Sequence, residues 1–167
     1  MKQILALLAI LLVPLAACSR AAEPFRAPAA EPAAIAGKSF DFVVVGATPG
    51  GVACAVRAAR EGLNVLLTQH DAHLGGMMTN GLSQWDALYG GHRAPLFTEL
   101  LGTIDAYYKE KYGADSRDYQ VQHYTHDHYP IGWVEPHVAE REFNRLVAAE
   151  KRITVLLRHY PAKVELD

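Results

Sequence analysis

The 167-residue chain has only two cysteines, Cys18 and Cys54, so a disulfide framework is excluded. It has no excess of basic charge: 16 Lys and Arg stand against 18 Asp and Glu, which leaves no polyanion-binding signature and argues against nucleic acid as a partner. Its longest apolar run, "ILALLAILLVPLAA" over residues 4–17, is too short to span a bilayer comfortably. No G-x-S-x-G elbow occurs. Ser83 in "GLSQW" lacks the second glycine, which leaves a serine hydrolase poorly supported. No internal repeat is visible.

The apolar run follows a charged start at Lys2 and ends in small residues, the pattern of an export signal over residues 1–17. The ending "LAAC" resembles a bacterial lipoprotein lipobox, which implies cleavage before Cys18 and lipid on its sulfur and amine. An ordinary secretory signal cleaved nearby is the alternative. Several acyl chains hold a protein firmly where one gives only marginal binding. Ser19 after the cysteine resembles the pattern of lipoproteins sent to an outer membrane, so the expected location is the cell envelope, with the membrane as a partner through the lipid anchor. "MKQ" carries no twin-arginine pair, which implies passage in an unfolded state and a cofactor acquired outside the cytoplasm. Residues 18–38, rich in Ala, Pro and Glu without an apolar period, predict a flexible or partly polyproline tether, and the folded part is expected over 39–167.

Within the folded part, Phe42 to Val45 form a β-branched run that predicts a buried parallel strand. Val52, Ala55, Val56 and Ala59 then recur at helical spacing up to Gly62, and Asn64 to Thr68 predict a second strand. Strand, glycine turn, helix and strand in so short a stretch predict an α/β fold with a Rossmann-like βαβ unit. Cys54 is expected to be a small buried hydrophobe of this helix. Phe97, Leu100, Leu101, Ile104, Tyr107 and Tyr108 predict a long amphipathic helix ended by Gly113. Pro136 opens another, with Phe143, Leu146 and Val147 inward, and "ITVLLRH" predicts a further strand. Glu135 and Glu142 are expected to be helix-end and surface groups.

The turn "GATPGG" is a degraded G-x-G-x-x-G fingerprint. Gly46 permits the sharp exit from the strand and Gly51 the close packing of the helix, but Thr48 stands at the middle glycine. Its hydroxyl can donate to a phosphate oxygen, Pro49 loses no useful amide at the first helical position, and Gly50 keeps the backbone bare. Gln69, 18 residues beyond Gly51, occupies the place of the acidic residue that accepts from ribose hydroxyls. Its neutral oxygen can still accept, at a cost of about 1 kcal/mol.

The stretch "VVVGATPGGVACAVRAAREGLNVLLTQHDAHLGGMMTNGLSQWD" resembles the opening of a family of FAD-dependent oxidoreductases with a glutathione-reductase-like Rossmann domain, in which Thr-Pro follows the first glycine as a rule. "GWVEPHVAEREFNRLV" is similar to the same family's E-P-x-V-A-E helix, so the resemblance covers most of residues 40–167. It implies that Gly46, Thr48, Pro49, Gly50 and Gly51 meet the FAD pyrophosphate and that Gln69 takes the ribose position. It also implies that Gly75, Gly76 and Met77 form a second glycine motif beside the cofactor, and that the backbone of Val164 contacts adenine. Flavoenzymes of this kind continue through a substrate domain and a late glycine-aspartate segment. The chain is therefore expected to be an N-terminal portion whose catalysis needs the remainder, with a small organic substrate, catalytic residues and an oligomeric state that the sequence does not identify. A non-enzymatic surface lipoprotein with the same scaffold, and a nicotinamide-binding protein, are the alternatives.

"HYTHDHY" offers His123, His126, Asp127 and His128 as potential transition-metal ligands, but spacing alone imposes no tetrahedral geometry. A solvated or substrate-facing loop is the preferred reading, with no metal site.

Overall fold

The computed structural model of the chain describes residues 24–85, 92–122, 125–126, 129–130 and 134–166. Its elements in order are α1 (Pro32–Ile35), β1 (Phe42–Val45), α2 (Pro49–Arg60), β2 (Val65–Gln69), a 3-10 turn (Gly76–Met78), α3 (Pro95–Tyr112), α4 (Arg117–Gln122), β3 (Thr125–His126), β4 (Tyr129–Pro130), α5 (Pro136–Ala149) and β5 (Ile153–Leu157). β1, β2 and β5 form a three-stranded parallel sheet in the order β1-β2-β5, with Val44 beside Leu67 and Leu67 beside Val155. β3 and β4 make a separate antiparallel pair. The fold is α/β, as the alternation of strand and helix signals predicts, and the sheet is an incomplete Rossmann-like one.

The core lies where α2 and α5 cover one face of this sheet. Side chains alternate along a strand, so Val44, Leu67 and Val155 share a face. All three are buried together with Val52, Val56, Val138, Phe143 and Val147 from the helices. Each fully buried aliphatic side chain contributes about 2 kcal/mol of transfer free energy. α3 packs on α5 through Leu100, Ile104 and Tyr108, the buried part of the stripe expected there, and Gly113 caps it. Arg60 at the end of α2 forks onto Glu99 of α3 at 2.8 and 2.9 Å and reaches Glu150 beyond α5 at 2.7 Å, joining three helices at their rim.

Four expectations are corrected. β1 is not buried on both sides: Val43 and Val45 are 51% and 59% exposed, because they point to the face opposite α2, which is open at this edge strand. Cys54 is exposed, since it sits two residues after Val52 and one before Ala55, on the outer side of the inward stripe. Glu142 is completely buried rather than superficial, because α5 is enclosed by α3, α2 and the 3-10 turn on a wider arc than its Phe143, Leu146, Val147 stripe suggests. The stretch read as a flexible tether is docked over residues 26–30. The Ala30 N–H donates to the carbonyl of Val155 at 2.7 Å, the Ala27 N–H donates to Asn144 Oδ1 at 2.8 Å, and Arg26 reaches Glu140 and the carbonyl of Ala72. A polar backbone beside the open edge of β5 finds partners there that composition cannot anticipate.

Candidate functional site

The glycine turn stands at the C-terminal end of β1, the edge at which open parallel sheets take ligands. Gly51 must be glycine for want of space: a Cβ there would lie 1.9 Å from the carbonyl oxygen of Gly46. That contact brings the first turn of α2 against the end of β1, so the helix N-terminus opens at the strand's mouth. Thr48 is the N-cap, in extended backbone, and its Oγ1 accepts the N–H of Gly51 at 3.1 Å. The oxygen is used as an acceptor, and a hydroxyl can donate its hydrogen as well. Pro49 occupies the first helical position, where an N–H would have no helical partner, and Gly50 is exposed.

The second glycine motif closes on the first. The Gly75 N–H donates to the carbonyl of Ala47 at 2.8 Å, and a Cβ on Gly76 would come within 3.3 Å of both Pro49 Cδ and Thr48 Cα. Gly75 has φ 95° and a Cβ there would strike Thr79 and Phe143, so two constraints exclude a side chain. Met77 projects outward, 72% exposed. The five residues of the first turn and Gly75 and Gly76 of the second thus form one cradle, in which Gly76 leaves room for Thr48 and Pro49. It fits a pyrophosphate at a positive helix end.

Gln69 ends β2 and is 4% exposed. Its Oε1 accepts the N–H of Ala47 at 2.9 Å, so Ala47, itself fully buried, is held by Gln69 through its N–H and by Gly75 through its carbonyl. The side chain of Gln69 also lies near enough to the carboxylate of Asp71 to favour its charged form. Partial burial pushes the Asp71 carboxyl up, but the His73 N–H and the Gln69 amide outweigh it and hold the group below the ordinary carboxylate value.

The two family-like motifs also meet. His73 of "HLGGM" places Nδ1 2.9 Å from Glu140 Oε1 of "EPHVAE", and Arg26 reaches the same oxygen at 3.3 Å. Glu140 is buried and shared between both partners. Beside the cradle, Pro49, Val52, Met78, Phe97, Phe143 and Leu146 surround an apolar cavity of about 110 Å³ with no ionisable side chain in its lining, so it is a packing space and not a place for proton transfer.

Of the residues singled out from sequence, Gly46 through Gly51, Gly75 and Gly76 converge, and Gln69 lies directly beneath them. Val164 does not join them. β5 ends at Leu157, Arg158 turns the chain with φ 61°, and Val164 lies beyond in an irregular segment, 75% exposed. His123, Asp127 and His128 lie outside the described residues, and only the backbone of His126 is described. Ala47, Asp71 and the His73–Glu140 pair were not singled out from sequence. For Asp71 a signal was present, because it stands twenty residues beyond Gly51, within the offset expected of the ribose acceptor.

Among solved structures, the chain is similar to L-amino acid deaminase from Proteus vulgaris lacking its specific insertion sequence, with 14% identity and a TM-score of 0.40 over 72% of this chain and 45% of that one. It is also similar to an Sdh1 complex from Mycobacterium smegmatis in the apo form, with 20% identity and a TM-score of 0.40 over 71% of this chain and 27% of that one. Sdh1 from the same organism in complex with UQ1 matches at 19% identity, a TM-score of 0.39 and 72% and 28% coverage. The chain thus spans less than half the length of each. No curated protein matches it. The sequence family described as FAD dependent oxidoreductase matches residues 41–167, most of the chain. With the cradle formed by residues 46–51, 75 and 76, the conclusion is that this chain belongs to the FAD-dependent oxidoreductase family, whose cofactor is FAD.

Proposed function

We propose that this chain is the FAD-binding N-terminal portion of an exported, lipid-anchored oxidoreductase that takes a hydride from a small organic substrate. The observation that carries the reading is the closure of the two glycine loops into one cradle, with Gly76 against Thr48 and Pro49. In it the exposed backbone at Gly50 and the Thr48 hydroxyl bind the pyrophosphate at the N-terminus of α2. Gly75 and Gly76 keep side chains away from the same anion. FAD, when bound, supplies the two-electron chemistry. The residues of this chain bind and orient it, and the groups that handle the substrate belong to another part of the protein.

Anchoring is proposed from the apolar run and "LAAC", with Cys18 as the lipidated residue and the cell envelope as the location. No helix among the described residues is long and apolar enough to cross a membrane. A non-enzymatic surface lipoprotein with the same scaffold is the second reading, favoured by the neutral residue at position 69. The test is to purify the full-length protein after flavin supplementation. Flavin absorbance and a thermal shift with added FAD support the enzyme, and the absence of both overturns it in favour of the scaffold.

A further inference from the structure

The residue that meets the ribose of FAD follows from how Gln69 is used. Its oxygen is spent on the buried N–H of Ala47 at 2.9 Å. At 4% exposure it presents nothing outward. Asp71 is the first carboxylate after β2. Its side chain is 35% exposed, its Oδ1 accepts the His73 N–H at 2.7 Å, and its Oδ2 lies 3.5 Å from His70 Nε2.

Asp71 also stands at the correct edge. The Arg158 N–H donates to its carbonyl at 3.0 Å and the His159 N–H to that of Gln69 at 2.9 Å, so Asp71 sits where the C-terminal ends of β2 and β5 meet, one strand over from the glycine cradle. A carboxylate offers about four acceptor positions. The His73 N–H takes one, His70 Nε2 stands 3.5 Å from the other oxygen, and the remaining lone pairs serve the exposed side. A vicinal diol carries two O–H donors and is suited to such an acceptor.

We propose that Asp71, and not the side chain at position 69, accepts the hydroxyls of the adenosine ribose of FAD, with Gln69 as the positioning residue that fixes the glycine turn beside it. This rests on the FAD reading above. It separates two tasks that one acidic side chain at the end of β2 would combine: the neutral amide ties the strand to the turn, and the carboxylate two residues on receives the ligand. A glutamate at position 69 would set a second negative charge beside Asp71.

The test titrates the full-length apoprotein with FAD and with an FAD analogue carrying 2′,3′-dideoxyadenosine, following flavin fluorescence. The wild-type protein is expected to bind FAD about tenfold or more tightly than the analogue, the range of a charge-assisted hydrogen bond. Asp71→Asn is expected to lose that preference by weakening FAD alone, while Asp71→Glu restores part of it. Equal binding of the two ligands by the wild type overturns the proposal without any variant, as does an Asp71→Asn protein that keeps the full preference. A wild-type protein that binds neither ligand overturns the FAD reading itself, and this inference falls with it.

Discussion

The side-chain oxygen of Gln69 accepts the backbone N–H of Ala47 at 2.9 Å, across the gap between the end of one strand and the glycine turn that follows its neighbour. A position that looks like a weakened ligand contact is a buried fastening between two elements of the cradle. Gln69→Leu leaves the Ala47 N–H without a partner and is expected to cost about 1–3 kcal/mol, measured as a fall in unfolding free energy. Gln69→Glu keeps an acceptor but buries a charge near the Asp71 carboxylate. It is expected to be less stable than the wild type near pH 7 and to recover as the pH falls toward about 5, where a glutamate raised by burial takes up a proton. A large gain in FAD affinity in this variant, at undiminished stability, would refute the structural role of the amide.

The glycines of the first turn differ in what they tolerate. Gly51→Ala places a methyl 1.9 Å from the Gly46 carbonyl oxygen and is expected to destabilise by about 3 kcal/mol or more. Gly50→Ala meets only Thr48 Oγ1, at 4.0 Å, and its fold is expected to be as stable as the parent's. Thr48→Ala removes the cap from the Gly51 N–H, at a cost of about 1 kcal/mol, and Thr48→Ser retains it. Thermal unfolding of the four variants ranks them, and a Gly51→Ala protein as stable as Gly50→Ala would contradict the close approach.

Glu142 is fully buried on α5, and neither carboxylate oxygen has a hydrogen-bond partner among the described residues. Burial raises its pKa, against a weaker opposing pull from Arg145 and Arg141, at 4.0 and 3.6 Å, and from the nearby Thr103. A group whose folded pKa is raised contributes stability below its unfolded pKa, and that contribution is lost as the pH rises through the folded value. Stability is therefore expected to fall through this residue as the pH rises above the ordinary carboxylate range, and Glu142→Gln to flatten that slope. Denaturant unfolding across an acid-to-neutral pH series checks it, and an unchanged slope in the variant counts against it.

Asn144 serves two buried partners. Its Oδ1 accepts the Ala27 N–H at 2.8 Å and its Nδ2 donates to the carbonyl of Glu140 at 2.8 Å. Asn144→Ala is expected to cost about 1–2 kcal/mol and to free residues 26–30 from the edge of β5. Amide exchange reports this at Ala30, whose N–H donates to Val155 and loses protection when the segment detaches. Unchanged protection at Ala30 would show that the segment is held without Asn144.

Much of the fold was legible because its signals are local. The spacing of Val52, Ala55, Val56 and Ala59, the stop after Arg60, the opening of α5 by Pro136 and the end of α3 at Gly113 depend on neighbours in sequence. The two faces of β1 were not legible, since Phe42 to Val45 carry apolar side chains on both and only the placement of α2 says which is covered. Glu142 misled for a related reason: a carboxylate in an amphipathic helix reads as surface, and its burial follows from how many elements enclose α5.

The site divides in the same way. The amino-acid sequence by itself determined the cradle, because a turn that must pass from strand to helix within a few residues demands glycine at Gly46 and Gly51 and a capping hydroxyl at Thr48, whatever surrounds it. Only the tertiary structure decided what Gln69 does. Its partner Ala47 is 22 residues away, and the direction of the side chain is set by a buried N–H that appears when β1 and β2 pair. The outward-facing carboxylate, Asp71, emerges from that same pairing, because its exposure depends on where β5 ends and on which neighbours take its other lone pairs.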